Sequence, residues 1–173
     1  MIQSANVIDA KLALSHLDVE EKQTAITGAS RDFFWYSPVL KSRLDHLVAD
    51  FLVRPKDEAE IIEILRVCYA HDVPDTTRAA GPGNYGQAMP MRGGCLLHLK
   101  HMDKVTHCEP GRVIVQPGCL LKDVDAHCIP AGGHELRMFS STWATATVGG
   151  FIAGGTGGVG SVTWSSLREL GNI

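Results

Sequence analysis

The sequence predicts an α+β fold rather than a regular β-α-β succession. One observation is an amphipathic helical pattern after residue 56, with acidic residues in its first turn. Another is a set of short β-branched or aliphatic runs bounded by proline and glycine, which are typical of strands. The third is a pair of glycine-rich segments, near residues 80 and 150, that separate these elements.

The composition is that of a soluble globular protein. The 173 residues are 45% hydrophobic and 20% charged, and the formal net charge is −3. This charge gives no reason to expect nucleic acid or an anionic membrane as a partner. The sequence shows no apolar run of membrane-spanning length and no basic-then-apolar leader, so we expect a cytoplasmic protein without a membrane span.

The cysteines and histidines do not form a metal-binding pattern. The five cysteines include no C-x-x-C pair, and the eight histidines are scattered along the chain. We therefore expect free, largely buried thiols, no disulfide framework and no metal site.

Residues 1–45 are predicted to form an N-terminal helical extension, followed by one main domain at residues 46–173. Apolar residues between Val7 and Leu17 have the spacing of a short amphipathic helix. The aromatic run at residues 33–36 is interpreted as a packing element rather than a ligand-stacking surface.

The main domain is predicted to open with a strand at residues 50–55 and a helix that ends at His71-Asp72. The acidic first turn favours this helix through its macrodipole. The apolar residues expected on its buried face are Ile61, Ile62, Leu65, Cys68 and Tyr69.

Further strands are predicted at 73–78, 95–99 and 112–117. The last is expected to pair with residues 104–107 across the turn Glu109-Pro110-Gly111. A second helix is predicted from Leu120 to Cys128, followed by a loop over residues 129–133.

The two glycine-rich segments are the strongest indication of function. The first runs from Ala79 to Gly86, and the second from Thr147 to Ser161. Glycine lets a ligand approach backbone amides without a Cβ in the way, and such loops often cradle a phosphate or lie against a planar cofactor. A flexible linker is the alternative, but apolar residues such as Phe151 and Val159 favour burial.

Residues 155–160 also match G-x-G-x-x-G, the dinucleotide-binding turn of a Rossmann fold. That turn needs a strand directly before it and a good helix directly after it. The preceding residues are too rich in glycine for a buried strand, and the residues after Ser161 start a helix poorly. An NAD(P)-dependent reductase is a lesser alternative, which predicts NAD(P)H binding and a helix beginning at about Ser161.

Several segments occur in an order typical of one protein family. Val53-Arg-Pro precedes an acidic helix, Arg78–Gln87 form an arginine- and glycine-rich loop, and Ala146–Ala153 contain a threonine-valine-glycine-glycine run. Gly93–Leu99 and Val115–Gly118 lie between the loops as a strand and a turn. Together, from about residue 45 onward, they resemble the FAD-binding domain of the vanillyl-alcohol oxidase and p-cresol methylhydroxylase (PCMH-type) flavoproteins, in the glycolate and D-lactate dehydrogenase branch.

This resemblance implies a two-subdomain PCMH-type fold that holds FAD. The amides of the first loop would donate to the diphosphate, and the glycines of the second segment would let the isoalloxazine approach closely. Both segments are then expected to line one groove. The implied cofactor-binding residues are Ala79, Ala80, Gly81, Pro82, Gly83, Asn84, Gly86, Gln87, Thr145, Thr147, Gly149, Gly150, Gly154, Gly157, Gly160 and Ser161.

Two positions of the first loop depart from the family pattern. Relatives usually have glycine where Ala79 stands, and threonine, serine or histidine where Pro82 stands. Proline has no N–H, so one contact to the diphosphate is lost or shifted. The departure also removes the histidine that some relatives use to attach flavin, so we expect non-covalent FAD.

The implied function is the FAD-binding portion of a flavin-dependent oxidoreductase that oxidises a hydroxy acid or an alcohol by hydride transfer to FAD. The chain ends at residues 171–173, where the family's next strand would begin. We therefore expect an incomplete second subdomain, with the substrate domain supplied by a partner subunit or a missing C-terminal part. The main alternative is a catalytically inert FAD-binding or interaction domain.

No residue is assigned to catalysis from the sequence. The charged residues that could approach a cofactor or substrate are Arg78, Arg92, His134, Glu135 and Arg137. Surface solvation is the favoured interpretation for each of them.

Overall fold

The computed structural model describes residues 4–155, 157–169 and 171. The chain divides into two compact units, Met1–His101 and Met102–Ile173. We call them unit 1 and unit 2. None of the described helices is long and apolar enough to cross a membrane.

Unit 1 contains a four-stranded sheet together with helices. Its elements are α1 (Ala5–Ala13), β1 (Val19–Glu20), α2 (Gln23–Ala29), α3 (Pro38–Leu44), β2 (Phe51–Val53), α4 (Glu58–Ala70), β3 (Asp75–Arg78) and β4 (Cys95–His98), with 3₁₀ turns at Phe34–Tyr36 and Leu99–His101. The strand order is β1-β2-β4-β3. β1 is antiparallel to β2, whereas β4 is parallel to both of its neighbours.

The centre of this sheet is its apolar core. Phe51 to Val53 pair with Cys95 to Leu97, and all six side chains are at most 2% exposed. Strands buried on both faces have near-continuous apolar sequences, which is why the sequence predicts both strands.

Helix α4 begins where the sequence predicts. The Asp57 side chain accepts a hydrogen bond from the Glu60 N–H at 3.0 Å, and the Glu60 carboxylate accepts one from the Lys56 N–H at 2.8 Å. This reciprocal capping satisfies two N–H groups at the start of the helix.

The predicted buried face of α4 is partly wrong. Ile64 and Cys68 are buried, whereas Tyr69 is 91% exposed. Ile62 and Leu65 are exposed with Tyr69 and share its spacing on the helix, so two apolar stripes run along α4. Helical periodicity alone does not say which stripe meets the sheet.

The N-terminal segment contributes to the core of unit 1. β1 pairs with β2, and Ile26 of α2 packs with Leu52 and Leu96. In the aromatic run, Phe34 is fully buried as a packing residue, while its three aromatic neighbours are exposed. The domain boundary at residues 45/46 stays a prediction.

Unit 2 is built from a hairpin and three helices in its described part. Its elements are β5 (Val105–Glu109), β6 (Arg112–Val115), α5 (Leu121–Gly132), α6 (Val148–Gly154) and α7 (Ser161–Trp164). β5 and β6 pair antiparallel around Gly111, whose φ is 81°, as the sequence predicts. The larger core cluster consists of Leu121, Met138, Ala146, Phe151 and Leu167.

Helix α5 is longer than predicted, and the prediction of a loop at residues 129–133 is wrong. The helix continues through Pro130 to Gly132, and Gly133 closes it with a φ of 71° and an N–H donated to the Ile129 carbonyl. Proline is tolerated there because it lies in the last, exposed turn and the left-handed glycine completes the end of the helix.

Candidate functional site

The first glycine-rich loop follows β3 directly. Gly81 and Gly86 have positive φ angles of 67° and 80°, which side chains with a Cβ rarely adopt. A Cβ on Gly81 would lie 2.5 Å from a guanidinium nitrogen of Arg78. Both the conformation and the available space therefore require glycine at Gly81.

The N–H groups at the tip of this loop have no acceptor among the described residues. No residue within the described ranges accepts a hydrogen bond from the amides of Gly81, Gly83 or Asn84. Asn84 is exposed, and the two glycines are half-buried. Neighbouring unpaired amides without obstructing side chains are an arrangement that suits a phosphate group.

Arg78 braces the loop instead of extending into solvent. It is 9% exposed, and its guanidinium donates to the backbone carbonyls of Arg31 and Ala80. Burial lowers the pKa of Arg78, and the negative charge of Asp32 acts in the opposite direction. The interpretation of this arginine as a solvated surface residue is wrong.

Asp32 holds the other end of the same loop. It is 6% exposed, and its Oδ2 accepts a hydrogen bond from the Gly86 N–H at 2.8 Å while Oδ1 accepts one from the Phe34 N–H at 2.8 Å. The Phe33 N–H also donates to the Gly83 carbonyl at 2.8 Å. Sequence reasoning missed this role because no local pattern connects Asp32 with a loop 54 residues later.

His98 lies at the end of β4, beside Arg78. It is the register partner of Arg78 in the sheet. Burial, followed by the charge of Arg78, lowers the pKa of His98 to about 4. The imidazole is therefore neutral near pH 7 and adds no positive charge next to the loop.

The second glycine-rich segment contains a helix that sequence reasoning did not predict. Thr147 is 4% exposed, and its Oγ1 accepts a hydrogen bond from the Gly150 N–H at 3.3 Å at the start of α6. Gly155 ends α6 in the left-handed conformation, with a φ of 56°. Glycine disfavours helix, but a side-chain cap at one end and a left-handed glycine at the other offset that preference.

The amides at the start of α6 differ from those of the first loop because they are already bonded. The N–H groups of Val148 and Gly149 donate to the carbonyls of Cys119 and Pro117 at 2.8 and 2.9 Å. A Cβ on Gly149 would lie 2.7 Å from the Pro117 Cβ, so packing within unit 2 accounts for this glycine. The amides of Val148 and Gly149 are therefore not free donors.

Contacts within unit 2 also account for glycines near Ser161. Val159 and Phe139 exchange two backbone hydrogen bonds, and a Cβ on Gly158 would collide with the Phe139 carbonyl. A Cβ on Gly160 would collide with the carbonyl of Arg137 in the same way. Glycine lets the two backbones approach this closely.

Three predicted site residues of unit 2 remain accessible besides Gly150. Gly154, Gly157 and Thr145 are exposed, and the Thr145 hydroxyl donates to the Thr142 carbonyl at 3.3 Å. The Ser161 Oγ accepts a hydrogen bond from the Gly158 N–H at 2.7 Å. Thr156, the second residue of the G-x-G-x-x-G motif, lies outside the described residues.

The structure argues against the Rossmann interpretation of that motif. The element before it is helix α6, where the dinucleotide turn requires a strand. A helix does begin at Ser161, as that alternative predicts, but it has only four residues.

The predicted site residues fall into two groups. Ala79 to Gln87 form one continuous loop of unit 1, and the residues from Thr145 to Ser161 belong to unit 2. Of the other charged candidates, Arg92, Glu135 and Arg137 are exposed and His134 is half-buried. The participation of both groups in one cofactor site stays a prediction.

Comparisons with known proteins bear on the family. The profile of the FAD binding domain family matches residues 49–170. Glycolate oxidase subunit GlcD of Bacillus subtilis is 28% identical over 122 residues, which are 69% of this chain and 26% of that protein. D-lactate dehydrogenase of Archaeoglobus fulgidus is 32% identical over 120 residues, which are 68% of this chain and 26% of that protein. The chain thus spans about a quarter of the length of these relatives.

Solved structures show the same fold. Alkyldihydroxyacetonephosphate synthase superimposes with a TM-score of 0.79 at 16% identity, over 96% of this chain and 35% of that one. p-Cresol methylhydroxylase superimposes with a TM-score of 0.68 at 17% identity, over 85% of this chain and 28% of that one. The predicted α+β fold of PCMH type is confirmed. The chain belongs to the FAD binding domain family, and glycolate oxidase subunit GlcD and D-lactate dehydrogenase are among the proteins to which it is similar.

Proposed function

We propose that this chain is the FAD-binding part of an oxidoreductase that oxidises a hydroxy acid or an alcohol. The observation that carries the proposal is that the amides of Gly81, Gly83 and Asn84 have no hydrogen-bond acceptor in the ranges that the structure describes. These donors suit the oxygens of a diphosphate, which is the charged part of FAD. Bound flavin supplies the capacity to accept a hydride from the substrate.

In this proposal the first loop binds the diphosphate through its backbone. Ala79 and Ala80 continue the row of amides toward β3, and Pro82 contributes shape but no donor. Gly86 and Gln87 act on the conformation of the loop, because the Gly86 N–H donates to Asp32 and the Gln87 Oε1 accepts from the Tyr85 N–H at 3.1 Å.

The residues of unit 2 are proposed to contribute a flat surface and a few hydroxyl groups. Gly150, Gly154 and Gly157 are exposed and carry no side chain that would keep an aromatic ring away. Thr145 offers an exposed hydroxyl. The remaining predicted residues of this unit, Thr147, Gly149, Gly160 and Ser161, support that surface through the contacts described above.

We also propose that FAD is held non-covalently. Pro82 stands where some members of the family carry the histidine that attaches flavin, and its ring offers no nucleophilic atom. A solved relative of similar fold, a glucooligosaccharide oxidase, carries a 6-S-cysteinyl, 8α-N1-histidyl FAD. Covalent and non-covalent attachment of FAD therefore have to be distinguished by measurement on this chain.

The proposed substrate class rests on the curated relatives. Their names, glycolate oxidase subunit and D-lactate dehydrogenase, both refer to oxidation of a 2-hydroxy acid. We propose that the groups that select the substrate belong to a further domain or a partner subunit, since this chain covers about a quarter of each relative.

Titration of the protein with FAD tests the cofactor proposal. We expect saturable binding, and we expect Gly81→Ala to raise the Kd at least tenfold, about 1.4 kcal/mol. Gly111→Ala is the matched control, because Gly111 has a φ of 81° but lies in the hairpin turn with open space around it. Equal FAD affinity in the wild type and Gly81→Ala would show that the loop does not contact FAD. If the folded protein binds no FAD, the proposed function is wrong.

A further inference from the structure

Two thiols of unit 2 lie almost within bonding distance. The Sγ atoms of Cys108 on β5 and Cys128 on α5 are 2.7 Å apart. A disulfide bond is about 2.05 Å long, so small side-chain rotations would join the two sulfurs. Neither thiol belongs to the proposed flavin site.

A surface groove gives small molecules access to this pair. It has a volume of about 630 Å³ and is lined by both cysteines, with Arg112, Val124 and Asp125 among its other residues. Cys108 is half-buried and Cys128 is 4% exposed. A groove of this size admits a molecule of a few hundred daltons, and Cys108 is the more accessible sulfur.

We propose that Cys108 and Cys128 are a redox-active dithiol that a small-molecule disulfide, such as oxidised glutathione, converts reversibly to an intramolecular disulfide. In the first step the Cys108 thiolate attacks the reagent, which forms a mixed disulfide and releases one thiol. In the second step the Cys128 sulfur, after losing its proton, attacks Cys108 Sγ and releases the second thiol. The protein loses two electrons and two protons, and the reagent disulfide gains them to become two thiols.

The surroundings of the two sulfurs fit this order of attack. Burial raises the pKa of Cys128 to about 11, with the hydrogen bond to Cys108 acting in the same direction. Cys128 thus stays a thiol that does not react directly with reagents in solution. Its part in the second step follows from its position next to Cys108 rather than from its reactivity.

The other cysteines provide internal comparisons. Cys68 and Cys95 of unit 1 interact with each other, but they are 1% and 0% exposed. Cys119 is 1% exposed, and its Sγ lies 3.7 Å from the Leu120 carbonyl. None of these three lines the groove. Selective oxidation of Cys108 and Cys128 is therefore expected.

The experiment treats the folded, reduced protein with excess oxidised glutathione, blocks the remaining thiols with N-ethylmaleimide and maps the peptides by mass spectrometry. We expect a linked peptide pair containing Cys108 and Cys128, an intact mass lower by two hydrogen atoms before the blocking step, and full reversal by dithiothreitol. We also expect an unfolding midpoint raised by several degrees, because the bond closes a 20-residue loop in the unfolded chain.

Cysteine variants distinguish a Cys108–Cys128 disulfide from one that involves Cys119. Cys128→Ser should stop at a mixed disulfide on Cys108, whereas Cys119→Ser should form the Cys108–Cys128 bond at the wild-type rate. The proposal is overturned if the folded wild type yields no linked Cys108–Cys128 peptide, or if the recovered link joins Cys119 to either thiol. The wild-type peptide map decides the matter even if a variant fails to fold, and it does not depend on FAD.

Discussion

Asp32 and Gly86 are joined by a hydrogen bond of 2.8 Å, in which the glycine N–H donates to the buried carboxylate across 54 residues of sequence. The same carboxylate accepts from the Phe34 N–H. A residue that lies outside every recognisable motif thereby holds the loop whose amides we assign to the FAD diphosphate. Removal of this carboxylate should therefore change cofactor binding without touching the cofactor.

We expect Asp32→Ala to weaken FAD binding about tenfold or more, because two N–H groups lose their acceptor, at about 1–3 kcal/mol for each buried group. Titrations should be run at a temperature where circular dichroism shows the variant to be folded. Asp9→Asn, an exposed carboxylate on α1, serves as the control. Unchanged affinity in folded Asp32→Ala would mean that the loop keeps its shape without this residue.

Gly149 and Gly150 should respond differently to alanine. A methyl on Gly149 meets Pro117 at 2.7 Å, so Gly149→Ala should lower the unfolding midpoint by several degrees. Gly150 is exposed, and its nearest neighbour would be the Thr147 Oγ1 at 3.0 Å, so stability should stay within about 1 kcal/mol of the wild type. If the flavin lies against Gly150, FAD affinity should nevertheless fall in Gly150→Ala. A variant that keeps both stability and affinity would exclude Gly150 from the flavin surface.

His98 should make the protein less stable in mild acid. Its pKa is about 4 in the folded chain, below its ordinary value of 6.5. Between these two values the unfolded chain binds a proton that the folded chain does not, so the free energy of unfolding falls as the pH decreases through this window. Unfolding midpoints measured from pH 7 to pH 4 should decline less steeply in His98→Gln. Identical slopes would show that other groups cause the decline.

Asp125 should be a stability determinant of unit 2. It is 7% exposed, and it accepts hydrogen bonds from the Leu136 N–H at 2.7 Å and the Trp143 indole N–H at 2.8 Å. We expect Asp125→Ala to lower the free energy of unfolding by about 2 kcal/mol or more in urea titrations. Comparison of the unfolding free energies of Asp125→Ala, Trp143→Phe and the double variant measures the contribution of the hydrogen bond to the indole. If the losses in the two single variants add up to the loss in the double variant, this hydrogen bond does not stabilise the protein.

Non-covalent attachment predicts that acid or heat precipitation releases all of the flavin into the supernatant. Absorbance near the flavin bands, measured in the supernatant and in the redissolved pellet, checks this directly. Yellow colour that stays with the protein pellet after repeated washing would show a covalent link and would leave Pro82 without the consequence we assign to it.

Much of the local structure could be predicted because the signals are local. The acidic residues of the first turn mark the start of α4, and the apolar run Phe51–Val53 before a proline marks a short strand. The hairpin around Gly111 follows from the turn residues between two β-branched runs. Predictions failed where two answers were locally equivalent, as for the two apolar stripes of α4, or where an end contact compensated for a poor local sequence, as at Pro130 and in the glycine-rich helix α6.

By itself, the sequence determined membership of the FAD binding domain family, because the two glycine-rich segments and the motifs around them occur in that family's order. Only the tertiary structure decided how those segments differ. Within the described part of the chain the amides of Gly81 and Gly83 have no acceptor, whereas that of Gly149 donates to Pro117, a residue 32 positions earlier in the chain. Asp32 and Arg78 likewise act on the loop through contacts with distant backbone. Hydrogen-bond pairing depends on which segments meet in space, and no local pattern in the sequence encodes it.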